Sequence, residues 1–408
     1  MDLFLISAAA FLRSLSIGLT GVVLGLYLAR AAFSTVDIGL VIGAGLAGSA
    51  ASTILVTLRA DHLGRRPTLA VLSLLTAAGG VGLAFAPNLP ILLLVAFFGM
   101  LNGMGTDRSA SFALEQAIIP GLVPDARRTW TLARYNLVLD AAGALGALAA
   151  ALPLLLQRWL QLPLPNAYRL LFFAYAAVNL LTALFYLLLS PAVEIHSGST
   201  AAATRPAVTS ATKRVVGKIT ALFSIDAFGG GFLTDALVAY WFFRRFGATE
   251  AKLGALFFLI RVLNAGSHLG AAWLAKRIGL VNTMVLTHLP SSIFLICVPF
   301  APNLAAAVVL LLLREALVEM DVPTRQSYVA AVVQPFERTF AAGVTNLARN
   351  VFWALGSSIS GFFMRGVSFG APLVIGGSLK IAYDLILYRS FRRLRPPEEQ
   401  VPAQRPAT

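Results

Sequence analysis

Charge is scarce in this sequence. Asp, Glu, Lys and Arg together make up 12% of 408 residues, about half the ~25% of a soluble domain. Acid is scarcer than base, 18 Asp+Glu against 32 Lys+Arg, for a net charge of +14. There is one cysteine, Cys297, which excludes an internal disulfide framework and any cysteine-rich metal site. Four histidines, His62, His196, His268 and His288, form no His-Glu-x-x-His pair. No Gly-x-Ser-x-Gly elbow and no phosphate-binding Gly-x-x-x-x-Gly-Lys-Ser/Thr loop is present, so hydrolytic and ATP-driven chemistry both lack their residues. No basic tract alternates with aromatics in a solvated segment, which argues against nucleic acid as a partner. What the chain has instead is apolar surface: 58% hydrophobic residues and a mean hydropathy of +0.80. A soluble chain of this length needs far more polar surface, so the composition predicts a polytopic membrane protein.

A helix crossing the bilayer needs ~20 largely apolar residues. Apolar runs between polar or Pro/Gly breaks predict spans at 3–28, 37–58, 67–86, 89–118, 130–155 and 167–189, then at 216–243, 251–274, 281–301, 304–333, 340–364 and 369–388. The first run is too long for a cleavable signal peptide and is expected to remain as a span. The longest polar break, 191–215, is rich in Ser, Thr, Ala and Pro and reads as a flexible linker. The expected organisation is a six-helix bundle over 1–190, a linker over 191–215, a second bundle over 216–390 and a basic tail over 391–408. Loops on the side of the termini, with the tail, hold seventeen Lys and Arg; the opposite loops hold seven. The positive-inside rule then puts both termini and the linker in the cytoplasm of a cell-membrane protein. The basic excess sets topology and touches lipid headgroups.

An internal duplication runs through the chain. Phe85-Ala-Pro-Asn-Leu89 recurs 215 residues later as Phe300-Ala-Pro-Asn-Leu304. The same offset pairs Gly39 with Gly254, Gly64 with Gly279, Gly146 with Gly361, and Leu132-Ala-Arg134 with Leu347-Ala-Arg349. Two six-helix halves in the same orientation are parallel repeats about an axis along the membrane normal, a transporter architecture.

The loop after the second predicted span reads Arg59-Ala-Asp61-His62-Leu63-Gly64-Arg65-Arg66. It resembles the loop motif of the major facilitator superfamily, with Thr57 in place of the family's leading Gly. A degenerate copy, Ala275-Lys276-Arg277-Ile278-Gly279, falls where the repeat expects it. The resemblance covers the whole chain and implies an all-α integral membrane fold of twelve transmembrane helices, in two six-helix bundles related by a pseudo-two-fold axis. It also implies a cytoplasmic gate in which Asp61 and the bases Arg65 and Arg66 latch helix ends through charge-assisted hydrogen bonds, with Gly64 supplying the turn. Glu115, Arg127 and Arg128 are the expected latch partners. Similarity to drug/proton antiporters is distant. Asn102-Gly103-Met104-Gly105 resembles part of their fourth-span motif, but Gly99 stands where an Arg is expected, and the fifth span has Ala142, Gly146 and Ala147 without the Pro.

The remaining charges lie within the spans, where each unpaired one costs ~2.5–3.5 kcal/mol or more. Eight bases against nine acids predict that most are paired, Lys380 with Asp384 at i+4 among them. Those near span midpoints, Arg13, Asp107, Arg108, Asp226, Arg314, Glu315 and Glu319, fall in spans one, four, seven and ten, which line the cavity in the resembling family. Arg261 in span eight shares a helix stripe with Asn264 and His268 and completes the candidate substrate or coupling set. Glu315 and Glu319 lie one turn apart and disfavour double ionisation; Asp226 precedes a glycine run, 229–231, able to unwind the helix. These acids compete as the proton-coupling group.

The expectation is therefore a secondary active transporter, not an enzyme, working without cofactor or metal. It moves a small molecule by alternating access as a monomer in membrane lipid, with protons as coupling ion and export marginally favoured. Uptake of an organic anion or zwitterion, with Arg13 or Arg108 as its cation, is the alternative; a non-transporting sensor on the same fold is another.

Overall fold

A computed structural model describes residues 1–86, 88–194, 209–321 and 338–391. Among these residues the regular structure is helical, with no strand. The helices are α1 (Asp2–Arg30), α2 (Thr35–Leu63), α3 (Arg65–Phe85), α4 (Leu89–Phe98), α5 (Ala110–Ile118), α6 (Asp125–Leu148), α7 (Leu152–Leu160) and α8 (Leu164–Leu187). They continue with α9 (Ser210–Gly231), α10 (Asp235–Phe246), α11 (Glu250–Ile278), α12 (Leu280–Cys297), α13 (Leu304–Val318), α14 (Arg338–Gly366) and α15 (Ala371–Phe391). Helices α4/α5, α6/α7 and α9/α10 each make one crossing in two pieces, which gives the twelve crossings of two six-helix halves.

Local chemistry sets the helix ends. Ser34 and Asp37 form a reciprocal capping box at the start of α2: Asp37 N–H donates to Ser34 Oγ, and Ser34 N–H donates to Asp37 Oδ2 at 3.0 Å. The duplication reappears as matched caps. Asn88 accepts from Ile91 N–H at 3.1 Å to open α4, and Asn303 accepts from Ala306 N–H at 2.9 Å to open α13. Gly64 (φ +91°) and Gly279 (φ +84°) hold equivalent left-handed turns before α3 and α12, where a side chain would be strained. Thr68 and Thr283, also 215 apart, return their hydroxyls to the carbonyls of those two glycines.

Span four differs from its sequence expectation, and span seven breaks beside the glycine run read as able to unwind it. Span four is not one helix over 89–118; residues 99–109 leave the helix between α4 and α5. Gly99, Gly103 and Gly105 weaken the helix there. Asn102 then competes for the backbone, accepting from Met104 N–H at 2.7 Å and donating to Thr106 O at 3.0 Å. Span seven breaks at 232–234, immediately after the glycine run, and Thr234 caps α10.

By packing, the chain divides into two units: Met1–Thr200 with Gly231–Val262 and Trp353–Pro372, and Ala201–Gly230 with Leu263–Phe352 and Leu373–Thr408. In the first unit, glycines set helix spacing. Gly18 and Gly146 of α1 and α6 lie against backbone of the facing helix, at Gly143 and Leu15 respectively, so that a Cβ on either would strike it. The glycines paired by the duplication meet across the pseudo-two-fold axis. Gly39 of α2 lies against Ser357 and Gly361 of α14, while Gly254 of α11 lies against Ala147 and Leu148 of α6. The helix pairs, α2 with α14 and α11 with α6, are equivalent under the duplication, although the residues that Gly254 meets are displaced along α6 from Ala142 and Gly146, the counterparts of Ser357 and Gly361. Small residues at such crossings let backbones approach closely in lipid, where dispersion rather than water exclusion drives association. Leu, Phe and Val side chains such as Leu58, Phe98, Leu180 and Phe362 are exposed on the outer faces, as expected where lipid replaces water.

In the second unit, α9, α12, α14 and α15 share a core around Phe223, Met284, Ala341 and Tyr383. Gly377 of α15 sits against Ser292 and Ile296 of α12, and Gly229 of α9 against Gly376.

Gly146→Leu should lower stability by about 1–3 kcal/mol through overpacking, read as a fall in the thermal unfolding midpoint in detergent. Gly217→Ala, at an exposed helical position with nothing within 4 Å, should leave it unchanged or raise it slightly. Equal effects would remove the close-approach reading.

Candidate functional site

Arg13 of α1 organises the interior of the first unit. Its Nε donates to Asp107 Oδ2 at 2.7 Å, and its two terminal nitrogens donate to Glu115 at 3.1 and 2.6 Å. Tyr186 of α8 also takes a hydrogen bond from Arg13, and Tyr135 of α6 lies 3.3 Å from Nη2. Both phenols donate to Glu115, at 2.7 and 2.5 Å. Glu115 is fully buried and Arg13 is 6% exposed. The bidentate Arg–carboxylate fork is the strongest form such a pair takes. The broken span four builds it: Asp107 projects from the irregular segment, where its other oxygen accepts from Ser109 N–H at 3.1 Å, and Glu115 comes from α5.

In this arrangement Glu115, an expected latch partner, is held by Arg13 and two tyrosines, and Arg13, a candidate cation for an anionic solute, is engaged by two carboxylates.

The irregular segment meets the break in span seven. Ala236 N–H donates to Gly103 O at 3.0 Å, and Thr20 Oγ1 donates to Asn102 O at 2.9 Å. Unwound backbone at membrane depth persists only where protein or a watery cavity satisfies it, and here other helices do. Asp235, the first residue of α10, pairs with Arg261 of α11 beside Gly105, whose φ of +75° and lack of a Cβ admit the carboxylate. Arg108 places its guanidinium carbon 5.9 Å from the Trp353 ring centre. At the end of α1 remote from the N-terminus, Arg30 donates to Glu250 at 2.7 and 3.1 Å, and Tyr168 donates to the same carboxylate at 2.5 Å. Glu250 is fully buried.

The second unit holds a separate cluster. Lys380 Nζ donates to Asp226 Oδ1 at 2.6 Å, and His288 Nδ1 lies 2.9 and 3.0 Å from the two oxygens of Asp384. This corrects the in-helix pairing of Lys380 with Asp384: both face inward, and each finds a buried partner on a different helix. Arg314 and Glu315 pair with each other. Glu319 follows as the C-cap of α13. His268, the third member of the span-eight stripe, has a side chain outside the described residues.

Of the gate residues, Gly64 makes its turn and Arg65 and Arg66 begin α3. Their backbone N–H groups donate to Glu194 at 2.6 and 3.0 Å, and Arg66 also donates to Leu187 O at 2.7 Å. Glu194 lies just past a 3₁₀ turn, Pro191–Val193, at the start of the expected linker; residues 195–208 lie outside the described residues. Arg127 is exposed near the start of α6. The side chains of Asp61 and Arg128 are outside the described residues.

Sequence reasoning missed Tyr135, Tyr186, Glu194 and Glu250 as partners. Phenols carry no charge signal, and the two glutamates fall at span ends, where acids are ordinary. His288 and Asp384 had a signal, both being polar residues within expected spans.

A sequence profile described as the Major Facilitator Superfamily matches residues 6–318. An uncharacterized membrane protein of Saccharomyces cerevisiae, YJR124C, is 29% identical over 416 residues, covering 95% of this chain and 93% of that one. Among solved structures, a bacterial homologue of the human lysosomal transporter Spinster, inward-facing and occupied, superposes with a TM-score of 0.75 at 16% identity, over 96% of this chain and 97% of that one. The inward-open xylose transporter XylE from E. coli gives 0.72 at 17% identity, over 97% and 98%. The nucleoside transporter NupG gives 0.71 at 13%, over 96% and 99%. At these identities the structures establish a shared fold.

Removing one partner of a buried ion pair strands the other. Glu115→Ala should therefore cost about 3–5 kcal/mol, and Tyr186→Phe about 1 kcal/mol, by denaturant unfolding of the detergent-solubilised protein. A Glu115→Ala variant as stable as the parent would contradict the network.

Proposed function

The chain belongs to the major facilitator superfamily, and from that premise we propose that it is a secondary active transporter for a small solute, working by alternating access and driven by protons, with export as the favoured direction. The observation that carries the reading is the pair of symmetry-related glycine contacts, Gly39 on Gly361 and Gly254 on Ala147. They join the two halves at helix pairs equivalent by duplication, α2 with α14 and α11 with α6, and they are small enough to separate and re-form. Arg30, Tyr168 and Glu250 add a polar clasp to the same unit. Closure there is one of the two states that alternating access requires.

The topology proposed is both termini and the linker in the cytoplasm of a cell membrane, with the protein acting as a monomer. The loop bearing Asp61, Gly64, Arg65 and Arg66, with Arg127 and Arg128 nearby in sequence, serves as the cytoplasmic latch. Glu194 supports this role, since it ties the end of the first half to the start of α3. The solute site is proposed at the junction of the two broken spans. Arg108 beside Trp353 there suits a negatively charged or aromatic group, which supports the second reading, uptake of an organic anion.

A thermal-shift screen of purified protein should first identify stabilising solutes. In proteoliposomes these solutes should then exchange across the membrane, and an imposed pH gradient should drive their accumulation. Asp61→Asn should slow transport about tenfold, ~1.4 kcal/mol in barrier, with solute affinity unchanged. A wild-type rate in that variant would leave the loop purely topogenic. Solutes that bind but never cross would favour the sensor.

A further inference from the structure

Four ionisable side chains on three helices meet in the second unit. Asp226 comes from α9, His288 from α12, and Lys380 and Asp384 from successive turns of α15; all four are buried. Lys380 neutralises Asp226 at 2.6 Å. Asp384, fully buried, has His288 as its partner. With both acids ionised and His288 neutral the four groups sum to −1; a proton on His288 brings the sum to zero. Two further charges are near: Asp321 past α13 acts electrostatically on Asp384, and Arg349 on α14 is buried in the same unit. Tyr383 meets the imidazole only ring edge to face, at 6.0 Å between centres. Arg314 and Glu315 neutralise each other.

We propose that His288 is the proton-carrying group of the transporter, loading and releasing one proton at Nε2; this rests on the proton-driven reading above. The two ring nitrogens have different environments. Nδ1 lies within hydrogen-bond distance of both Asp384 oxygens, and an ionised carboxylate only accepts, so Nδ1 keeps its hydrogen. Nε2 lies 3.8 Å from Asp226 Oδ1, too far for a hydrogen bond but close enough for attraction. Loading takes one proton from water onto Nε2 and gives an imidazolium between two carboxylates. Release returns that proton to water and leaves the Nδ1–H tautomer on Asp384. No other bond changes.

The position links this event to motion. Gly229, three residues after Asp226, lies against the carbonyl of Gly376, which brings α9 onto α15 at Lys380. The chain passes from one packing unit to the other between Gly230 and Gly231. A change in the pull between His288 and Asp226 therefore acts on a helix at the point where it leaves the unit. Histidine is the side chain whose ordinary titration range suits such a switch near neutral pH.

The test uses the whole protein labelled with ¹⁵N at its four histidines, in nanodiscs of neutral phospholipid. One resonance pair, lost in His288→Asn, should show the Nδ1–H tautomer when neutral and should titrate between pH 5 and 9. Asp384→Asn should lower its midpoint by about 1–3 pH units, and Lys380→Met should raise it. A His288 holding one charge state over that whole range overturns the proposal. A transport arm separates it from the reading beneath it. With a solute from the screen, His288→Asn and His288→Gln should abolish pH-driven accumulation and spare exchange. Accumulation retained in both variants sinks the site but not proton coupling. Exchange without proton movement in the wild type sinks coupling, and with it the role proposed for His288.

Discussion

A charge within a bilayer has no water to fall back on, and the interior of this protein follows from that constraint. Acids stand beside the buried bases Arg13 (Asp107 and Glu115), Arg261 (Asp235) and Lys380 (Asp226), and the exposed Arg30 reaches in to the buried Glu250. Breaking such a pair strands a partner at a cost of several kcal/mol, so the pairs fix which helices are neighbours. Arg13 alone ties α1 to the irregular part of span four and to α5, α6 and α8. The tyrosines around Glu115 complete the hydrogen bonding that a carboxylate needs once it has left water.

The second principle is spacing. Small residues at Gly18, Gly39, Gly146 and Gly254 bring backbones into direct contact, and apolar side chains face outward where lipid lies. Charge pairs hold helices together within each packing unit. The glycine contacts themselves carry little polar energy, so the charge that must be re-satisfied when they part is that of the Arg30–Glu250 clasp. Rigid interiors and separable small-residue seams are what a rocking mechanism asks of its parts.

Much of the fold was legible in sequence because it depends on local chemistry. Asn88 and Asn303 announced two matched helix starts, Gly64 and Gly279 two matched turns, and the 215-residue offset tied them together. The glycine run 229–231 foretold the break in span seven. The continuous span four was misread because hydropathy alone cannot see Asn102 turning its amide on the backbone. The pairing of buried charges was less legible still. Lys380 and Asp384 satisfy the i, i+4 rule on one helix, yet each has a closer partner on another, and sequence spacing holds no information about the helix across the way. Glu115 was placed with the loop bases for the same reason: spacing along a helix does not say that its carboxylate faces Arg13.

The central claim is that the symmetric glycine seam opens and closes during a transport cycle. Spin labels at Ala32 and Lys252, exposed positions in the first packing unit near the Arg30–Glu250 clasp, test it most directly by pulsed electron resonance distance measurement in nanodiscs. Alternating access requires two distance populations, a short one matching the closed seam and a longer one, with weights that shift when pH is lowered or a stabilising solute is added. A single short distance under every condition would contradict it.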